Sequence, residues 1–200
     1  MTLRPSLART APRLSMSRLA GPAALAATAL LLSACASAPT ARAPAPEVST
    51  MSRAQVVMTP ASASLVSGTL AVTAVDGGVR VTGELGGLQP GTPHAIHIHE
   101  KGDCSAVDAA SAGGHFNPAT QPHGRAGQAS HHGGDMDNIV ADREGVARVD
   151  VQARGVTLGG GGQTDVLGRA VIVHAVADDY ATQPSGNAGA RVACGIIKAP

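Results

Sequence analysis

Seven of the eight histidines fall between Pro93 and Gly133, and imidazole both ligates transition metals and carries protons near neutral pH. His97 and His99 stand one residue apart in Pro93-His-Ala-Ile-His-Ile-His-Glu100. Successive side chains on a strand point to opposite faces, so these two project together while Ile96 and Ile98 project the other way. Two imidazoles on one face, with aliphatics behind them, make half of a metal site. His115, His123, His132 and Asp135 follow in the order H-x7-H-x8-H-x2-D. Three neutral imidazoles and a carboxylate form a tetrahedral set that suits zinc, which has no redox role of its own. His174, at the end of Val171-Ile172-Val173-His174, joins His97 and His99 in an all-imidazole set that suits copper, the highest in the affinity order for nitrogen sites. A ligand shared by both sets needs two ring nitrogens facing different ions, and His115, which begins the loop, is the candidate.

Such side chains need a rigid support, and the pattern around them is that of strands. Val79, Val81 and Leu85 alternate with Arg80, Thr82 and Glu84, a period of two. Leu70, Val72 and Ala74 precede them, with the hairpin signal Asp76-Gly77-Gly78 between. Ala147, Val149 and Val151 alternate with Arg148, Asp150 and Gln152 after the turn residues Asp142 to Gly145, and the stretches 169–176 and 192–197 are short β-branched runs. No helical periodicity is evident beyond the N-terminal region. Short strands separated by Gly-rich turns predict an all-β sandwich or barrel. Two long irregular stretches, 101–138 and 177–191, interrupt the strands, and loops of that length inside a compact domain are usually functional.

The N-terminus reads differently. Residues 1–18 carry Arg4, Arg9, Arg13 and Arg18 without an acid, and an apolar run then leads to Leu32-Ser33-Ala34-Cys35. This is the layout of a secretory signal, and a cysteine directly after Leu-Ser-Ala resembles a bacterial lipoprotein signal, in which that cysteine is lipidated. An ordinary signal peptide with a coincidental cysteine is the alternative. The expected division is therefore a signal over 1–34, lipidated Cys35 with an Ala/Pro-rich tether over 35–52, and a folded domain over 53–200. Without the leader, eleven basic residues face fourteen acidic ones, a net charge of −3. With one Tyr, one Phe and no Trp there are no stacking platforms, so nucleic acid is excluded as a partner. If Cys35 carries lipid, Cys104 and Cys194 remain as a pair in an oxidising compartment, which favours a disulfide.

Taken together, His97-Ile-His99-Glu100, Gly114-His115-Phe116-Asn117-Pro118, His132-Gly-Gly-Asp135, Val173-His174 and Gly186-Asn-Ala-Gly-Ala-Arg191-Val-Ala-Cys194-Gly195 resemble the copper/zinc superoxide dismutase family. The resemblance runs from about Leu65 to Lys198. It implies an eight-stranded antiparallel Greek-key β-sandwich or flattened barrel with two long functional loops. It further implies one copper ion on His97, His99, His115 and His174, and one zinc ion on His115, His123, His132 and Asp135, with His115 as the bridge. Asp178 matches the carboxylate that links ligands of the two ions. Arg191 matches the arginine that attracts and orients the superoxide anion, and Cys104 and Cys194 match the intrasubunit disulfide. The implied reaction converts superoxide to oxygen and hydrogen peroxide by alternate reduction and oxidation of copper, with His115 taking a proton.

Neighbouring residues of the same types are read as structural. His94 faces with Ile96 and Ile98 and is expected to be satisfied by backbone; His131 yields to His132 by spacing to Asp135; Asp179, Lys101 and Lys198 are assigned to solvent. The loop before Arg191 carries only Asp178 and Asp179 as charges, so the family's charged guidance residues have no counterpart in it. A copper and zinc buffer without turnover is the rival reading, and Arg191 discriminates against it, because storing metal needs no anion-orienting arginine. Ala36, where an aspartate would favour inner-membrane retention, points to a periplasm-facing outer-membrane anchor. Monomer and homodimer both stay open.

Overall fold

The computed structural model describes residues 47–200; the expected leader, Cys35 and most of the Ala/Pro-rich stretch lie outside the described residues. The strands are β1 (Arg53–Pro60), β2 (Ser67–Val75), β3 (Gly78–Gly86), β4 (Pro93–His94), β5 (Ile96–His99), β6 (Ile139–Val140), β7 (Ala147–Arg154), β8 (Ala170–His174) and β9 (Arg191–Ile196). Seven form one antiparallel sheet in the order β5-β8-β9-β1-β2-β3-β7, and β4 pairs with β6 in a short ribbon. The ribbon meets β7 through the Ala141–Ala147 bridge, which nearly closes the sheet on itself. The expected count of eight is met when β4 and β5 are taken as one run interrupted at Ala95. The break has a cause: Ala95 turns its N–H and C=O to Val176 and His174, so the run changes partners there.

Strand alternation builds the interior. Val79, Val81 and Leu85 of β3 are fully buried, as are Leu70 and Val72 of β2 and Ile96 and Ile98 of β5. Each such side chain removed from water contributes about 1.5–3 kcal/mol. The β2–β3 hairpin turns at Asp76-Gly77, where Gly77 has φ +73° and Val75 pairs with Gly78. β8 is buried on both faces: Val171 and Val173 face the main core, while Ala170 and Ile172 face a second cluster with Ala61, Ala109, Ala112 and Cys194. A strand without a solvent face reads as a continuous apolar run, which is how Val171 to Val173 looks in the sequence.

The domain extends further toward the N-terminus than composition suggests. Residues 47–52 have the composition of a tether, yet the N–H groups of Thr50 and Met51 donate to Leu158 C=O at 3.1 and 3.0 Å, and Ser49 Oγ accepts from Leu158 N–H. The Glu47 carboxylate accepts from the N–H groups of Gln163 and Thr164 at 2.9 and 2.8 Å. This docking uses backbone groups, one hydroxyl and one carboxylate, so it leaves no hydrophobic periodicity to detect.

Candidate metal centre

β5 lies at one end of the large sheet, and its free edge is covered by the long loop. Ile98 N–H donates to Gly134 C=O, Phe116 N–H donates to Ile98 C=O, and Glu100 N–H donates to Gly114 C=O, all at 2.8–2.9 Å. The close approach requires glycine at 134, where a Cβ would overlap the Ile98 carbonyl oxygen. These bonds bring His115 opposite His99 and Asp135 opposite His97. On the other side β5 pairs with β8, His97 opposite Ile172 and His99 opposite Ala170. Because Val171 and Val173 face the core, His174 faces outward with His97 and His99. Strand period and loop pairing together assemble the site.

Two groups of donors result, His97, His99, His115 and His174 in one, His115, His123, His132 and Asp135 in the other. In the first, His97 Nδ1 and the Nε2 atoms of His99, His115 and His174 are buried without any hydrogen-bond partner. A buried polar atom left alone is costly, and four from four rings in one cluster are the signature of a set that awaits an electrophile. In the second, Asp135 Oδ1 lies 2.9, 3.1 and 3.4 Å from Nδ1 of His115, His123 and His132. A tetrahedral zinc with ordinary Zn–N bonds spaces its ligand atoms by about 3.3 Å, so only small shifts separate this cluster from a closed site. His115 is the one ring with a nitrogen in each set.

The remaining ring nitrogens are held by the protein. Asp178 Oδ2 accepts from His97 Nε2 at 2.8 Å and its Oδ1 accepts from His123 Nε2 at 2.9 Å, joining the two sets through one carboxylate. His99 Nδ1 donates to Gly113 C=O and His174 Nδ1 approaches Gly189 C=O at 3.3 Å. Such bonds fix each tautomer and leave the other nitrogen as the ligand. Gly186, at φ +65°, packs where a Cβ would overlap Asp178 Oδ1. Asp178 is also fixed through its backbone, with N–H to Asn138 Oδ1 and C=O from Asn138 Nδ2. Tyr180 N–H donates to Asp178 Oδ1 at 2.7 Å, and the Tyr180 hydroxyl accepts from Asn138 N–H.

Burial favours the neutral form of three rings in the first set, His99, His115 and His174. It lowers His99 to about 2, reinforced by the His115 charge, and His174 to about 3. His115 falls to about 4 by burial, with Asp135 opposing. Arg191 adds to the depression at His99 and His174, so its charge is felt there. His123 goes the other way: burial lowers it, but Asp135 and Asp178 prevail and raise it to about 9. Burial raises Asp135 and Asp178 too, and in both the histidine bonds win and hold the carboxyl well below its usual range. Neutral imidazoles and ionised carboxylates are the forms that bind metal, so His123, held protonated at neutral pH by the two carboxylates, must give up a proton to become a ligand.

Over the orphaned nitrogens opens a cleft of about 390 Å³ lined in part by His99, His115, His174 and Arg191. Arg191 is held there by two bonds of 2.7 Å to the carbonyls of Ala109 and Gly113. The loop bearing those carbonyls is tied to β9 by the Cys104–Cys194 disulfide, Cα–Cα 5.8 Å. His94 is buried, with Nδ1 donating to His174 C=O and Nε2 beside Thr92 Oγ1. His131 joins neither donor group; its Nδ1 donates to His132 C=O. Asp179 is exposed to solvent as expected, where it accepts from Ala181 and Thr182 N–H. Asn138, Tyr180 and the Gln183 carboxamide, which bonds the backbone of His123, were not singled out by residue type. Nothing in their local sequence marks them.

Residues 66–197 match the family described as copper/zinc superoxide dismutase (SODC). A Cu-Zn superoxide dismutase of Caulobacter vibrioides is 48% identical over 120 residues, 58% of this chain and 68% of the relative. Superoxide dismutase [Cu-Zn] 2 of Aquifex aeolicus is 44% identical over 115 residues, 56% and 67% of the two chains. Among solved structures, a SOD-like protein from Bacillus subtilis superposes with a TM-score of 0.65 at 36% identity, covering 72% of this chain and 97% of that one.

Proposed function

The chain belongs to the copper/zinc superoxide dismutase family, and from that premise we propose that it converts superoxide to oxygen and hydrogen peroxide at a histidine-bridged copper/zinc centre in the cell envelope. The observation that carries this reading is the pair of donor sets meeting in one ring, with four buried nitrogens lacking partners on the copper side. His97, His99, His115 and His174 would hold copper; His115, His123, His132 and Asp135 would hold zinc. Copper would supply one-electron exchange with the anion, and zinc would hold His115 from its far side. The protein's own residues do the rest. Arg191, anchored on two carbonyls, offers positive charge at the cleft and orients a small anion. His115 Nε2 is the nitrogen placed to take and return a proton beside it. Asp178 keeps His97 and His123 in the tautomers that present Nδ1.

A store for the two ions would need the donors but not an anchored arginine at their mouth, and this favours turnover over buffering. The envelope placement rests on Leu32-Ser33-Ala34-Cys35 and on the disulfide, which needs an oxidising compartment. Membrane anchoring would be through lipid on Cys35, read out by fatty-acid labelling and fractionation. The test of the centre is His115→Ala: loaded with both ions, it should retain the fold by circular dichroism and lose most dismutation. Full activity in that variant would overturn the bridge assignment.

A further inference from the structure

We propose that Gln183 is a positioning residue for the zinc ligand His123, clamping its main chain from the opposite loop; the inference rests on the assignment of His123 to zinc. The carboxamide makes two bonds to one residue: Gln183 Oε1 accepts from His123 N–H at 2.8 Å, and Gln183 Nε2 donates to His123 C=O at 2.9 Å. A glutamine amide that pairs with both backbone groups of one residue imitates a neighbouring strand.

The other three donors of that set do not need such help. His115 lies opposite His99, flanked by Glu100 N–H to Gly114 C=O and Phe116 N–H to Ile98 C=O. Asp135 bridges to His97, and His132 N–H donates to Asp135 Oδ2 while Asp135 N–H donates to His132 C=O. His123 alone has no main-chain partner on the sheet or within its own loop among the described residues. Its ring is oriented by Asp135 and Asp178, and the following peptide is tied through Gly124 N–H to Asp135 Oδ2. The clamp adds the two bonds that hold the N–H and C=O of His123 itself. It comes from the segment that also supplies Asp178, so the loop over the copper mouth and the zinc set are fastened at two points, 123 to 183 and 123 to 178. Outer groups that orient a ligand typically contribute 10–100-fold in metal affinity.

Gln183→Ala removes both bonds, and Gln183→Glu keeps an acceptor for His123 N–H but sets a carboxylate against His123 C=O. Thr182→Ala is the control, since it takes away a side-chain bond within the same loop, to Asp179, and spares the clamp. The purified protein is stripped of metal and titrated with zinc against a chromophoric chelator, then with cobalt(II) followed by its visible ligand-field bands. Both Gln183 variants should bind zinc about tenfold more weakly and lose cobalt band intensity, with copper affinity within about twofold of wild type. Thr182→Ala should match wild type. Unchanged zinc affinity and cobalt spectrum in Gln183→Ala, or an equal loss in Thr182→Ala, would overturn the clamp. Wild-type protein that takes up no zinc would overturn the ligand assignment itself, and the clamp with it.

Discussion

Cys104→Ala is the perturbation whose magnitude follows most directly from the structure. The disulfide joins positions 90 residues apart, and the entropy of closing a loop of that size in the unfolded chain corresponds to about 4–5 kcal/mol. Domains of this kind are stable by roughly 5–15 kcal/mol in all, so a third or more of the total is at stake. The interior makes little provision for the loss, because the chain has one Phe, one Tyr and no Trp and relies on aliphatics that bury less area each. The assay is equilibrium urea unfolding of the metal-free protein, where the two-state treatment holds best. With a slope of about 2 kcal/mol per molar, the midpoint should fall by about 2 M. Reduced wild type opens the same loop and should coincide with the variant. A drop below about 0.5 M in both, at unchanged slope, would refute the argument that loop closure dominates.

Three further outcomes follow from the site. Arg191→Ala should bind copper and zinc normally yet consume superoxide on the order of 10–100-fold more slowly, read by pulse radiolysis beside metal analysis. Asp178→Asn replaces one acceptor by a donor facing an imidazole N–H, and zinc affinity should drop by about 10–100-fold in chelator competition. In the metal-free protein, His99, His115 and His174 have folded pKa values of about 2, 4 and 3, so unfolding takes up protons and stability falls as pH drops through about 6.5. His123, raised to about 9, stabilises fully below about 6.5 and loses that contribution as pH rises through 9. Urea midpoints of the stripped protein should therefore peak near pH 6.5; a monotonic rise to pH 9 would contradict the His123 environment.

The sequence makes some of this visible and hides the rest for physical reasons. β2, β3 and β7 show because one face is wet and alternation survives. β1 does not, because Val57 is apolar yet 60% exposed, turning Val56-Val57-Met58 into a run without a period. The donor residues stand out because imidazoles are scarce and their spacings are short. Gln183 and Asn138 do not, since each works through an amide on a partner 60 or 40 residues away, and such pairings exist only once the loops have folded over β5. The docking of Glu47 escapes for a related reason, as a carboxylate on a loop backbone has no pattern in either partner.

β8, enclosed on both faces, sets how the two donor sets come apart. Its amides can exchange with solvent only when the whole sheet opens, whereas those of the segment carrying His123 and His132 answer to smaller, local excursions. Heat or mild denaturant should accordingly release the ion held by the loop before the one seated on His174. Partial loss would then leave the redox-active ion on an intact wall, with His115 unsupported from behind.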